Sequence, residues 1–543
     1  MVFRSVLSAT ILCGMVAATP LSQKSPPSVK LDAAIFTGTT NGSVSAFLGI
    51  PYVQPPVGDL RFHLPQAIPA YNGTYNASAY GPSCPQQTFK VPGNLTAETE
   101  AILASLVADG SPQSEDCLTI NIFTPAGATS NSNLPVAVYF FGGGFAVGAA
   151  SRYPGGVIVN RSLELNEPVI YVSLNYRING FGFLGGQEVM DAGVANLGLH
   201  DQRQALSHNM SISFPSVDYR TIAKEVFIFS WGESAGSTSI AYHMITNGGD
   251  NEGLFRAAFM QSGSQLPVSG MKGGQPYYDT VVKAAGCSNS SDTLQCLREA
   301  PYDTLKSAID NVPTFYDYQA LVLAWMPRPD GVFLVDNPQT LIQQGIVANV
   351  PFVNGDCDDE ATPFSYSTLN ITTEQELREY ITTYWSPHAS NSTLDKLMEL
   401  YPVTPADGSP FNTGNNNTMT PQFKRIAAFL GDINFQGPRR LLLQARSGHR
   451  NVWSFVNKRL KDLPGLDINM VYGPADMTDY LVRFVANLDP SGNTGIDWPQ
   501  YKTETPNLLT FLDGSIPANI TQDTYRKEGI EFVTQMMLDD PWQ

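Results

Sequence analysis

Val226-Phe227-Ile228-Phe229 leads within two residues into Gly232-Glu233-Ser234-Ala235-Gly236. The first run is apolar, aromatic and β-branched, the composition of a central strand buried on both faces. The second has the form Gly-x-Ser-x-Gly. Its glycines let the backbone fold sharply where strand becomes helix and leave room for the facing helix, so the Ser234 hydroxyl is held out at the strand's C-terminal end. Set after a buried strand, the pattern points to a nucleophile rather than a structural turn.

Working outward, other short apolar runs end in Gly/Asn/Ser clusters with helical stretches between them, at 136–140, 169–174, 257–260, 350–353 and 452–455. This alternation predicts an α/β fold, a large, mostly parallel central sheet flanked by helices. In such sheets the chemistry gathers at the C-terminal ends of strands. Phe141-Gly142-Gly143-Gly144-Phe145 stands at one of these ends. Consecutive glycines let backbone N–H groups approach a ligand and point the same way, as a developing oxyanion requires. Alone the run is a flexible turn; beside Ser234 it reads as an oxyanion hole. Asp356-Cys357-Asp358-Asp359-Glu360 follows the run 350–353. A carboxylate there can orient an imidazole, although an acidic loop is more often solvated surface.

The N-terminus carries a second signal. Arg4 precedes a mostly apolar stretch at 6–16, and Val16-Ala17-Ala18 offers small residues for cleavage, so 1–18 reads as a secretory signal peptide. The chain of 543 residues exceeds the usual domain size. It contains no linker, repeat or charge block, so 19–543 is expected to form a single domain. Without Arg4, 31 basic residues stand against 49 acidic ones, a balance of −18. So acidic a surface argues against nucleic acid or anionic membrane as partner. Cys13 leaves with the signal. Cys84 with Cys117 and Cys287 with Cys296 would close local loops and leave Cys357 odd, but four cysteines allow three connectivities. Eleven Asn-x-Ser/Thr sequons, at Asn41, Asn72, Asn76, Asn94, Asn160, Asn209, Asn289, Asn370, Asn391, Asn416 and Asn519, suit a glycosylated secreted chain.

Several further motifs occur in one order: Gly49-Ile50-Pro51-Tyr52, Pro55-Pro56-Val57-Gly58, Leu60-Arg61-Phe62, Ser114-Glu115-Asp116-Cys117-Leu118, Asn175-Tyr176-Arg177, and Asn196-Leu197-Gly198-Leu199 before Asp201-Gln202-Arg203. With the Ser234, glycine and acidic segments they make the chain resemble the type-B carboxylesterase/lipase family, the cholinesterase-like α/β-hydrolases, and most of all its fungal secreted lipases. The resemblance runs from about Val29 to the C-terminus. It implies the α/β-hydrolase fold, Ser234 as nucleophile, Glu360 as triad acid, and an oxyanion hole from the N–H groups of Gly143, Gly144 and Ala235. It also implies the pairs Cys84–Cys117 and Cys287–Cys296. The substrate class would be a small-molecule or lipid ester, and no metal or nucleotide cofactor is implied. In the lipase branch the loop closed by the first disulfide, here 85–116, carries a lid that meets the lipid interface. Ile102, Leu103, Leu106 and Val107 would form one apolar helical stripe in it, suited to either core packing or a lid.

The chain departs from the family at two places. The family's catalytic histidine follows the strand matching 452–455, in a stretch resembling Gly-x-x-His-x-Ser-Asp. Here Leu463-Pro464-Gly465-Leu466 runs straight into Asp467-Ile468-Asn469-Met470-Val471-Tyr472-Gly473, and no histidine occurs after His449. His449 precedes that strand and so belongs at the opposite edge of the sheet; His63, His208 and His388 lie in no family active-site motif, His200 stands in the Asp201-Gln202-Arg203 region, and His243 lies on the helix after the elbow, beyond its first two turns. Upstream, 207–225 lacks the family's Phe-Gly-Gly-Asp-Pro turn, and Pro215 stands where a helix should continue. Abrupt departures within a close match have the form of exon-boundary errors. The leading reading is a secreted serine ester hydrolase. The rival readings are an inactive binding or adhesion protein of the same fold, and a mis-spliced version of an active lipase.

Overall fold

In the computed structural model of the protein, residues 25–93, 95–107, 110–209, 228–459, 469–472, 476–493 and 495–541 are described. The expected signal at 1–18, the Leu466–Asp467 junction and most of the 207–225 stretch lie outside them; the helix Leu197–Asn209 enters that stretch.

The described strands are, in chain order, β1 (Ser28–Leu31), β2 (Ala33–Thr37), β3 (Thr39–Asn41), β4 (Val44–Pro51), β5 (Asn72–Asn76), β6 (Thr119–Pro125), β7 (Val136–Phe140), β8 (Ile170–Leu174), β9 (Ile228–Glu233), β10 (Ala257–Gln261), β11 (Phe352–Cys357), β12 (Val452–Asn457), β13 (Asn507–Phe511) and β14 (Ala518–Gln522). Eleven of them form one sheet, ordered β14, β13, β12, β11, β10, β9, β7, β8, β6, β4, β3, and β1, β2 and β5 form a small second sheet. From β8 to β13 every pairing is parallel, while β13–β14, β8–β6, β6–β4 and β4–β3 are antiparallel. The parallel centre is thus bordered by antiparallel flanks. Every residue of β7, β8, β10, β11 and β12 is buried, as a sheet covered on both faces requires.

The chain passes from β7 to β8 on one side, returns, and continues from β9 to β10 on the other. Right-handed crossovers in opposite directions put the helices Gly156–Glu164 and Ala235–Ile245 on opposite faces. The crevice between the C-terminal ends of β7 and β9 is therefore a topological switch point, where sheets of this kind hold ligands.

Two strands run further than their apolar stretches foretell. The run 350–353 becomes Phe352–Cys357 and the run 452–455 becomes Val452–Asn457. The polar residues among those added are held in part: Asn354 Nδ2 donates to the Gly263 carbonyl at 2.9 Å and Arg439 donates to Asp356 Oδ2 at 2.9 Å, while the buried Oδ1 of each has no hydrogen-bond partner among the described residues. These extensions carry both strands up to the sheet edge where the site lies.

Candidate active site

Ser234 follows β9 directly and opens the helix Ala235–Ile245, with φ 52° and ψ −123°. For a residue with a Cβ this is a sparsely populated conformation, and it turns the side chain out of the strand. The N–H of Ser234 donates to the Gln261 carbonyl at 2.9 Å, and its own carbonyl accepts from Thr238 at 2.9 Å, so neighbouring elements fix the turn on both sides. Gly236 is held by packing: a Cβ there would fall on the Phe140 carbonyl oxygen.

After β7, Gly143 and Gly144 take φ values of +115° and +60°. The Gly143 carbonyl closes the turn by accepting from Ala146 and Val147 at 3.0 and 3.1 Å. Among the described residues nothing accepts a hydrogen bond from the N–H of Gly143 or Gly144. Ala235 is the first residue of its helix, where N–H groups lack an intrahelical partner. All three line one cavity of about 440 Å³, together with Ser234 and Glu360. Leu266, Phe315, Leu321, Leu323, Phe364 and Phe435 give it an apolar wall.

The acidic segment is not solvated surface. Asp356 and Cys357 belong to β11, and Asp356, Asp358, Asp359 and Glu360 are all buried. Their partners separate them. Asp356 is bound by Arg439; Asp358 lies 3.4 Å from Lys458 and 3.5 Å from Arg526; Asp359 accepts from Ser409 at 2.9 Å and from the Phe411 N–H at 2.7 Å. Of the four carboxylates only Glu360 lines the cavity, and the Cys357 N–H donates to its Oε1 at 2.6 Å. Arg439 also bridges to Asp523 at 2.8 Å, so the strand end that carries Glu360 is backed by a buried ionic network. Within it, burial raises the Asp356 carboxyl to about 6 against the pull of Arg439.

None of the histidines with described side chains lines this cavity. His449 is exposed and precedes β12, whose six residues span about 20 Å. His243 is buried, with Nε2 3.0 Å from Gln202 Oε1, and burial holds its ring well below the ordinary imidazole value. His200 packs its ring against Phe333, His388 is exposed beside Asp540 at 2.9 Å, and His63 is half-buried, its carbonyl accepting from Arg177. The side chain of His208 lies outside the described residues.

Other lining residues were not foreseen. Glu233 follows from the elbow, but Tyr472 comes from the segment after β12; its ring stacks on Trp231 at 5.6 Å and its hydroxyl lies 2.7 Å from that of Tyr171. Asn434 lies in a π-helical turn, Asp432–Gln436, and its buried Oδ1 has no hydrogen-bond partner among the described residues. Only the π-turn, a feature common at functional sites, marks it, and that is visible only in three dimensions.

The remaining motifs brace this edge. The Tyr176 hydroxyl donates to the Phe141 carbonyl at 2.6 Å and so positions the glycine run. Arg177 binds Asp201 through Nε and Nη2 at 2.8 and 2.7 Å, and Arg61 binds Glu115 in the same bidentate manner at 2.6 and 2.7 Å. Disulfides join Cys84 to Cys117 and Cys287 to Cys296, and Cys357 is a buried thiol outside both. In the loop 85–116 the helix Ala97–Val107 buries Leu103 and lays Ser105 and Leu106 along the cavity. Arg152 donates to the carbonyls of those two residues at 3.2 and 3.3 Å.

The carboxylesterase family matches residues 25–461. Lipase 4 of Diutina rugosa is 39% identical over 511 residues, covering 90% of this chain and 91% of that one. Secreted lipase 1 of Botryotinia fuckeliana is 38% identical over 527 residues, covering 91% and 90%. The crystal structure of EstA from Aspergillus niger superposes with a TM-score of 0.79 at 25% identity, covering 95% of this chain and 99% of that one. The architecture is that of the α/β-hydrolases, and the chain belongs to the carboxylesterase family and is by that family a carboxylic ester hydrolase.

Proposed function

We propose that the protein is a secreted serine esterase or lipase working through an acyl-enzyme on Ser234. The convergence of Ser234, Gly143, Gly144, Ala235 and Glu360 on one apolar cavity carries this reading. The Ser234 hydroxyl would attack the ester carbonyl, the tetrahedral oxyanion would rest on the three N–H groups, and water would release the acyl group. Glu360 would orient a base rather than act on the ester itself. The apolar wall fits the acyl part of a small-molecule or lipid ester. The helix Ala97–Val107, placed along the cavity, supports contact with a lipid interface through the loop 85–116. Relatives named as secreted lipases support export from the cell.

The base is the open position. A hydroxyl without one is a poor nucleophile, and losing a triad base costs on the order of 10⁶ in turnover. The chain as it stands is therefore expected to hydrolyse short p-nitrophenyl esters barely above background. Inserting a Gly-x-x-His-x-Ser segment between Leu466 and Asp467 should raise turnover by several orders of magnitude, and Ser234→Ala should abolish the gain. Brisk turnover by the unaltered chain that Ser234→Ala removes would show that another residue serves as base. Brisk turnover that survives Ser234→Ala would refute Ser234 as nucleophile. A second reading, a binding protein on the same fold, is favoured by the positions of the described histidines; an insertion variant that stays inactive while binding an ester analogue would support it.

A further inference from the structure

Nine of the eleven sequon asparagines have described side chains, and all nine are exposed. Four of them stand on just three strands, of three, five and five residues: Asn41 on β3, Asn72 and Asn76 on β5, and Asn519 on β14. Asparagine is disfavoured in strands, so the placement needs a reason. These strands share one property. β3 and β14 are the two outermost strands of the large sheet, and β5 is an outer strand of the small one.

An outer strand offers unpaired N–H and C=O groups to any other chain, and charged residues or proline usually guard it. β3 reads Thr-Thr-Asn, β5 Asn-Gly-Thr-Tyr-Asn and β14 Ala-Asn-Ile-Thr-Gln, with neither charge nor proline. The fourth outer strand, β1, carries no sequon and has Lys30 instead. Each sheet edge thus has either a lysine or a sequon. Among the described residues nothing accepts a hydrogen bond from the Nδ2 of Asn41, Asn72, Asn76 or Asn519, and Asn519 uses only its Oδ1, accepting from the Ile520 N–H at 2.8 Å. Asn72 and Asn76, four apart on a strand, face the same way.

We propose that Asn41, Asn72, Asn76 and Asn519 carry N-linked glycans that cover the unguarded sheet edges and keep folded chains from pairing edge to edge. At each site the amide nitrogen displaces a lipid pyrophosphate from the anomeric carbon of an oligosaccharide donor. A C–N bond forms, the C–O bond to the pyrophosphate breaks, and one amide proton leaves. The proposal rests on the secretion proposed above.

The test expresses the full chain in a secreting, glycosylating yeast and maps glycan occupancy by mass spectrometry. A variant with Asn→Gln at positions 41, 72, 76 and 519 is then compared with one altered at 289, 370, 391 and 416. Occupancy is expected at all three edges. The edge variant should lose monomer to aggregates on gel filtration after mild heating, while the control variant stays monomeric. Folded wild type stripped of glycans by an endoglycosidase should behave like the edge variant, which decides the matter even if that variant fails to leave the cell. Bare edges with glycans at the other sites would overturn this proposal alone. So would occupied edges whose removal aggregates the chain no more than the control. A chain retained in the cell with no glycan anywhere would refute the secretion reading and this proposal with it.

Discussion

Two substitutions that remove the same hydroxyl should differ in stability, because they differ in what they leave of the elbow's backbone strain. Ser234 is held at φ 52°, ψ −123°, and a non-glycine residue in so sparse a region costs about 1–3 kcal/mol. Ser234→Ala keeps the Cβ and hence the strain. Ser234→Gly releases it, but glycine's greater freedom in the unfolded chain takes back about 0.4–1 kcal/mol. The glycine variant should therefore be the more stable by about 0.5–2 kcal/mol. With about 2.1 cal/mol/K of unfolding entropy per residue and 543 residues, that is a rise of about 0.4–1.8 °C in apparent Tm. A urea titration is the better assay, since its midpoint reports the difference directly while an unchanged slope confirms the same transition. Both variants lose the nucleophile, so activity does not complicate the comparison. A glycine variant no more stable than the alanine variant would refute the claim that the fold holds Ser234 under strain.

Glu115→Ala leaves the Arg61 guanidinium, 8% exposed beside a partner 10% exposed, without its carboxylate; removing one member of such a buried pair costs about 3–5 kcal/mol, and a urea midpoint indistinguishable from wild type would contradict the pairing. Asp356 yields a pH test. Its carboxyl, raised by burial to about 6, binds its proton more tightly in the folded than in the unfolded chain, so its contribution to stability is present at low pH and is lost as pH rises from about 4 to about 6. Asp356→Asn should escape that loss, gaining on wild type between pH 4 and pH 7, whereas parallel stability curves would exclude it. Asp523, lifted by burial but held below its ordinary value by Arg439 and Arg440, acts in the opposite sense in both proteins. Cys357 should resist maleimide in the native state and react once the unreduced chain is unfolded; a bridged Cys357 in a peptide map would contradict the disulfide pairing.

The apolar runs make the centre of the fold legible because a strand buried on both sides has few choices of residue; 136–140 coincides with β7 residue for residue. Legibility fades where burial is secured by hydrogen bonds or ion pairs. Asn354, Gly355 and Asp356 extend β11, yet in sequence they look like the start of a loop. The acidic segment shows the same limit. Its spacing offers several carboxylates, and only the partners of Asp356, Asp358 and Asp359 leave Glu360 facing the cavity. Ser234 and the glycine run are readable because a sharp turn and close backbone approach both demand small residues. Tyr472, Asn434 and Phe315 reach the cavity from segments far apart in the chain, and nothing local to their sequence announces it.

Each group of the proposed site hangs from its own strand: the glycine run from β7, Ser234 from β9, Glu360 from β11. The forces that make the chain fold lie behind them, in the apolar strands and in pairs such as Arg439–Asp523 and Arg177–Asp201. Foldability and chemistry are therefore recorded in different residues. A lineage released from the need to hydrolyse esters could discard the Ser234 hydroxyl at no cost in folding, and with glycine there it would gain stability. At that position drift out of catalysis then runs downhill, through folded proteins. On the function proposed above, the return would need one loop rebuilt on a scaffold still selected for shape.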